Sequence, residues 1–290
     1  MSIKIICIDL DGTLFSGRNQ FISEKSIQAI QEANKRGIEI VIATGRIYNN
    51  AVQVVEKIGT KSPVIAANGA VIMDRDLKKE IYYGALSEKQ CVRLMELAKK
   101  HKIATHFYTT DRVISNNLSG YIGALIYKLA NRHSKYGIIV DSCIAYNTLV
   151  KRFKEYDNRI SKCVVYSNDT KRVQAFKEDA YRDEELTVCG AGRYSFEVNS
   201  TGVSKGRAVE ILASYLGVER EDILCIGDNE NDIFMIEYAG IGVAMGNAIP
   251  KLKEVSDYIT DTNYNDGVAK AIKKFVLDNN TEKELYQIDF

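Results

Sequence analysis

A chain of 290 residues, 46% hydrophobic and 27% charged, is long enough for one large or two medium domains with cores of their own. With 39 Lys and Arg against 38 Asp and Glu, no overall field recruits nucleic acid or an anionic membrane surface. No apolar run approaches the ~18 residues of a membrane span and no basic-then-apolar leader opens the chain, so the expectation is a cytosolic protein with neither nucleic-acid nor membrane partners.

From the N-terminus, Ile3 to Ile8 is an isoleucine-rich run that suits a strand buried on both faces of a parallel sheet, and it leads straight into Asp9-Leu10-Asp11-Gly12-Thr13. Ser23 to Arg36 follows as a helix, with Ser23 as N-cap and Gly37 as its stop. Ile38 to Ala43 is a second strand ending in Thr44-Gly45-Arg46. A helix carrying Ala51, Val54, Val55 and Ile58 runs to Gly59, and Val64 to Ala67 is a third strand ending in Asn68-Gly69. This alternation reads as a doubly wound parallel sheet.

The rhythm then changes. Ser87 to Lys100 is an amphipathic helix with a Ser-x-x-Gln capping box and an apolar stripe of Cys91, Leu94, Met95 and Ala98. Ile103 to Tyr108 and Arg112 to Ser115 form a hairpin, and the polar, tyrosine-bearing stretch from Asn116 to Tyr156 is assigned to helix. Cys163 to Tyr166, Thr170 to Tyr181, Leu186 to Cys189 and Tyr194 to Val198 continue as strand, helix, strand and strand. After Gly202 the parallel pattern resumes: a helix with Ala208, Ile211, Leu212 and Tyr215 closed by Gly217, a strand from Ile223 to Ile226, and another from Ile241 to Ala244. The tail beyond Phe275 is polar. Residues 85–198 thus read as an α+β unit inserted into a core of 1–84 and 199–290, with Gly84 and Gly202 as hinge candidates.

Polar clusters follow four of the core strands: Asp9 and Asp11, Thr44-Gly45-Arg46, Asn68, and Asp228 with Asn231 and Asp232. The carboxyl ends of parallel strands share one edge, where ligands bind, so clusters far apart in sequence converge on one crevice. Asp-Gly alone is ordinary turn chemistry; the joint placement carries the reading. Several acids gathered without a neighbouring His or Cys suit a hard, oxygen-seeking cation, with Mg2+ the best fit and zinc disfavoured. Lys205, at a helix start where free N–H groups already favour anions, supplies the opposite charge. A cation, an ammonium and backbone donors around one anion make a phosphoryl clamp, and no Ser–His or Cys–His pair offers another nucleophile.

These residues carry a resemblance. The Asp9-to-Thr13 segment, Thr44-Gly45-Arg46, Lys205, and Gly227-Asp228-Asn229-Glu230-Asn231-Asp232 resemble the four motifs of the haloacid dehalogenase-like phosphatases. The insertion after the second motif, with Asn68-Gly69-Ala70, Gly246-Asn247-Ala248 and Asp266-Gly267-Val268, is similar to the Cof-type subgroup. The resemblance implies a Rossmann-like α/β core with an α+β cap that closes over the crevice. It implies Asp9 as nucleophile and metal ligand, and Asp11 as general acid and base that gives its backbone carbonyl to the metal. It further implies Asp228 as a direct magnesium ligand with Asp232 nearby, and Leu10, Thr44, Gly45, Lys205 and Asn231 around the phosphate. The substrate class implied is a small phosphorylated metabolite, with sugar phosphates leading.

Other residues stay open at this point. Thr44 also suits an N-cap of the following helix. Arg46 is divided between an interdomain ion pair and a substrate contact, and Asn68 between a turn residue and a substrate contact. His101, His106 and His133 are expected to be structural or superficial. Tyr121, Tyr127, Tyr136 and Tyr146 show no helical period and are assigned to packing. The six cysteines (Cys7, Cys91, Cys143, Cys163, Cys189 and Cys225) scatter without a CxxC pair and read as small buried hydrophobes. A phosphomannomutase-like phosphotransferase would need a basic cap surface, for which Arg112, Lys128, Arg132, Lys151 and Arg152 are the candidates. An idle phosphate-binding module would have lost Asp9, Asp11, Lys205 or Asp228, and all four are present. Oligomeric state leaves no signature.

Overall fold

In the computed structural model, which describes residues 2–278 apart from 18–19, 75–78, 117, 131–135, 143–145, 157 and 191, the apolar runs build two separate sheets. His133, Arg132, Cys143 and the tail from 279 onward lie outside the described residues, as do the side chains of Tyr127 and Tyr146. The first part of the chain gives β1 (Ile5–Ile8), α1 (Glu24–Lys35), β2 (Glu39–Ala43), α2 (Tyr48–Ile58), β3 (Val64–Ala66), β4 (Val71–Met73) and β5 (Glu80–Tyr83). The middle gives α3 (Glu88–His101), β6 (Ala104–Tyr108), β7 (Arg112–Ser115), α4 (Leu118–Ala130), β8 (Ile139–Ser142), α5 (Tyr146–Glu155), β9 (Lys162–Tyr166), α6 (Thr170–Tyr181), β10 (Leu186–Cys189) and β11 (Ser195–Ser200). The last part gives α7 (Lys205–Leu216), β12 (Ile223–Gly227), α8 (Ile233–Tyr238), β13 (Ile241–Ala244), α9 (Pro250–Val255), β14 (Tyr258–Ile259) and α10 (Gly267–Ile272).

The first sheet runs β14-β13-β12-β1-β2-β3-β4-β5, parallel from β14 to β3 and antiparallel over its last two strands. Every residue of β1 is buried, as a strand covered on both faces requires. Ser23 caps α1 by accepting from the Ser26 N–H, and Gly59 ends α2 in the left-handed region at φ 76°. β4 and β5, three and four residues long, were not read from the sequence.

The second sheet runs β10-β11-β9-β6-β7-β8. Alternation along its strands divides it into two faces. Phe107, Cys163, Val165, Phe196 and Val198 turn toward α3, α5 and α6 and form a second core with Leu94, Phe153 and Phe176. Tyr108, Lys162, Val164 and Glu197 turn the other way, toward the first sheet. The capping box of α3 forms in both directions, through Ser87 and Gln90.

Two expectations need correction. The stretch 116–156 is not all helix, because β8 lies between α4 and α5 and pairs in parallel with β7 at the sheet edge. Its Ile-Val-Asp-Ser sequence is half polar, as an exposed edge strand tolerates. Thr44 is not the N-cap of α2; Ile47 occupies that position without a side-chain hydrogen bond. Tyr136 packs against the first core and donates to Glu56 at 2.5 Å, in line with its assignment to packing. The five described cysteines are unpaired thiols, four of them buried. Among the described residues no helix is long and apolar enough to cross a membrane.

Candidate active site

β1 has β2 on one side and β12 on the other, so the chain leaves it in opposite directions and a crevice opens at its carboxyl end. Asp9 is the first residue beyond β1 and is 5% exposed. From α7, the fully buried Lys205 donates through Nζ to Asp9 Oδ1 at 2.5 Å and to Asp232 Oδ1 at 2.7 Å. The other oxygen of Asp232 accepts from the backbone N–H groups of Asp228 and Asn229, at 2.9 and 3.0 Å. Thr13 donates through Oγ1 to Asp228 Oδ1 at 2.8 Å. Gly12 lets this loop close: at φ 93° it lies in the left-handed region, and a Cβ there would collide with the Asp228 carboxylate.

One carboxylate oxygen from each of Asp9, Asp228 and Asp232 lies within 4.8 Å of the others, an all-oxygen donor set without histidine or cysteine. Three carboxylates around one ammonium leave an excess of negative charge that burial makes costly. Burial pushes the Asp9 carboxyl well above its ordinary value; Lys205 opposes this, and the Asp232 and Asp228 charges add to it. Asp228 is pushed up to about 6, chiefly by burial and then by Asp232, against the hydrogen bond from Thr13. Burial works to discharge Lys205, but Asp232 and Asp9 outweigh it and hold the ammonium above its ordinary value. Lys205 is the ammonium of this cluster, held charged by the two carboxylates it meets at close range.

Asp11 stands apart from this cluster. Its carboxylate is more than half exposed and accepts from Arg46 Nε at 2.7 Å and Nη2 at 2.5 Å. The same guanidinium donates to Gln20 at 3.0 Å and stacks 4.9 Å from the centre of the Phe15 ring. Arg46 is therefore engaged at the first sheet's own edge, and the interdomain partner considered from sequence is not what it meets. Leu10 is buried in the first core, and its carbonyl accepts from the Thr13 and Phe15 N–H groups. Thr44 is 1% exposed and its Oγ1 accepts from the Arg46 N–H at 3.1 Å.

Above these groups lies a cavity of about 370 Å³, with Asp9, Asp11, Thr44, Gly45, Arg46, Asn68 and Asn231 below and Tyr108, Lys162, Val164 and Glu197 above. Lys205 lies beneath the cavity floor and lines a neighbouring cleft. Asn68, at φ 58°, donates to Glu197 Oε2 at 2.6 Å and accepts from Asn231 at 3.1 Å. Sequence reasoning missed Thr13, Lys162, Glu197 and Asn199. A signal existed: in Ser195–Ser200 the apolar Phe196 and Val198 alternate with Glu197 and Asn199, which puts polar groups on the face opposite the core. His101 bonds Asp179 at 2.7 Å and His106 bonds the Gly120 carbonyl at 2.9 Å; neither lines the cavity. Of the basic residues considered for a distal phosphate, Arg112 is committed to Asp141 at 2.7 Å and Arg152 to Glu155 at 2.8 Å.

Known proteins resemble this chain over nearly its whole length. A family profile described as haloacid dehalogenase-like hydrolase matches residues 6–272. The 5-amino-6-(5-phospho-D-ribitylamino)uracil phosphatase YcsE of Bacillus subtilis is 32% identical, with 96% of this chain and 97% of its own covered. Phosphatase YwpJ of the same organism is 30% identical over 93% of this chain and 99% of its own. Among solved structures, the phosphatase BT1666 from Bacteroides thetaiotaomicron superposes with a TM-score of 0.78 at 30% identity, covering 94% of this chain and 95% of that one. A haloacid dehalogenase-like hydrolase from B. subtilis gives 0.80 at 26% identity, covering 94% and 100%. The chain belongs to the haloacid dehalogenase-like hydrolases, and among them it is a Cof-type phosphatase acting on phosphoric monoesters.

Proposed function

We propose that this phosphatase hydrolyses a small sugar or sugar-alcohol phosphate with Mg2+, through a phosphoryl group carried on Asp9. The observation that supports it is the convergence of Asp9, Asp228 and Asp232 on the buried Lys205 at the sheet's switch point, directly under the cavity. The excess negative charge and the oxygen-only donors fit a hard divalent cation. Asp9 and Asp228 would hold it. Asp232 has each oxygen in a hydrogen bond, so its part is to brace Lys205 and the 228–229 backbone. When bound, the cation supplies charge neutralisation for the transferred phosphoryl group.

The chain's own residues do the rest. The Asp9 oxygen that Lys205 does not hold attacks phosphorus. Thr44, the Gly45 turn and Asn231 cradle the phosphoryl oxygens at the cavity floor. Asp11 delivers a proton to the leaving oxygen and later takes one from the attacking water. Residues 85–198 act as the cap over the core of 1–84 and 199–290, and their inward face excludes water from the reaction. A phosphorylated polyol is favoured because Tyr108 lines the cavity roof and a relative is named for a phosphorylated ribitylamino compound.

The test is Asp9→Asn, assayed on a panel of sugar phosphates with magnesium. The variant should keep its fold and lose all turnover, and trapping with labelled substrate should label wild type on Asp9. Turnover well above trace in the variant, with deamidation excluded by mass, would require another nucleophile.

A further inference from the structure

The two sheets meet in a chain of polar contacts that the chemistry above leaves unused. Lys162 on β9 is 4% exposed and donates through Nζ to Glu197 Oε1 at 2.6 Å and to the carbonyl of Gly45 at 2.7 Å. The second oxygen of Glu197, on β11, accepts from Asn68, whose own oxygen accepts from Asn231 at 3.1 Å. One carboxylate on the cap is thus linked through one residue to Gly45 and through another to Asn231. There is no slack in the arrangement: a Cβ on Gly45 would lie 2.8 Å from Asn68 Oδ1 and 3.4 Å from Glu197 Oε2.

The consequence for the floor follows from peptide geometry. Carbonyl and N–H point to opposite sides of a trans peptide. Fixing the Gly45 carbonyl on Lys162 therefore directs the Arg46 N–H the other way, to Thr44 Oγ1 at 3.1 Å. A hydroxyl that already accepts there is left to donate its own proton elsewhere, and the cavity that Thr44 lines is where an anion would take it.

We infer that Glu197 and Lys162 are positioning residues for phosphate: the cap-borne ion pair sets the Thr44–Gly45 turn and Asn231, and so ties the cap's closed position to a competent phosphate cradle. This rests on reading those residues as the cradle. Both side chains already have protein partners, so their effect on the anion passes through the floor.

Inorganic phosphate is the discriminating probe, because it is too small to need a contact with the cap. Glu197→Gln and Lys162→Met should each raise the phosphate inhibition constant roughly tenfold, with the KM for p-nitrophenyl phosphate rising in parallel and kcat moving less. The double variant should be little worse than either alone, as expected for one coupled unit. Lys162→Arg should recover part of the loss. Unchanged phosphate inhibition in both single variants, with weakened binding only of a sugar phosphate, would make them direct substrate contacts and overturn the inference; additive losses would overturn it too. Should Glu197→Gln lower Tm markedly, Glu197→Asp, which shortens the reach and keeps the charge, must show the same phosphate defect. Wild-type protein with turnover but no phosphate inhibition would refute the cradle itself, a result separate from any effect of the variants.

Discussion

Asp228 gives a pH dependence that can be worked out in advance. Its carboxyl is pushed from 3.8 to about 6, so the folded protein keeps a proton that the unfolded chain has released between those values. The sign follows: in metal-free protein this group's contribution to stability is greatest near pH 4, falls as the pH rises to about 6, and is flat above. The span is worth about 3 kcal/mol at 1.36 kcal/mol per tenfold. Other carboxylates with the opposite sign, such as Asp141 and Asp179, titrate lower, so the comparison that isolates Asp228 is wild type against Asp228→Asn. A cation must displace the same proton, so magnesium should bind about tenfold more weakly at pH 5 than on the plateau above pH 7. Calorimetric magnesium titrations at the two pH values, with chemical denaturation of metal-free protein between pH 4 and 7, measure both effects. Equal magnesium affinity at pH 5 and 7.5, or a wild-type-minus-variant stability difference that does not change with pH, would refute the reasoning.

Lys205→Met leaves Asp9 and Asp232 facing Asp228 without their ammonium. Breaking such a buried pair costs about 3–5 kcal/mol. In thermal melts that is on the order of 10 °C, partly restored by saturating magnesium; an unchanged Tm would show that the pair contributes nothing. Asp11→Asn should slow sugar-phosphate hydrolysis ~100- to 10,000-fold and aryl-phosphate hydrolysis less, with a burst of aryl alcohol as the second step becomes limiting. Equal losses on both substrates without a burst would make Asp11 structural.

The parts of the fold that were legible in sequence are those where one signal sufficed. Ile5–Ile8 is apolar throughout, Ser23 and Ser87 cap helices with their own hydroxyls, and Gly59 and Gly217 end helices in the left-handed region. β8 was hidden because an edge strand can carry Asp141 and Ser142 as readily as Ile139 and Val140. The residues at the carboxyl ends of β1, β2 and β12 could be listed because parallel strands share an edge. Their division of labour could not. Lys205 faces two carboxylates and Arg46 a third, and that choice depends on depths and angles that motif spacing does not encode. Lys162 and Glu197 were harder still, since Lys162 meets Gly45 and Glu197 meets Asn68, each more than a hundred residues away.

The Asp11–Arg46 pair bears on how the catalytic cycle must begin. Both Asp11 oxygens accept from one guanidinium, so neither faces a leaving oxygen until that pair opens. Arg46 does not depend on Asp11 alone for its place: Gln20 accepts from its third nitrogen and the Phe15 ring covers the guanidinium face. Opening therefore asks Asp11 to turn while Arg46 stays. Asp11, more than half exposed, has the room to do so, whereas the Asp9 carboxylate is fixed by Lys205 and buried. The two acids of one five-residue motif thus differ in the property their proposed roles require. The carboxylate proposed to attack is held in place by Lys205, and the one proposed to carry the proton has room to turn away from Arg46.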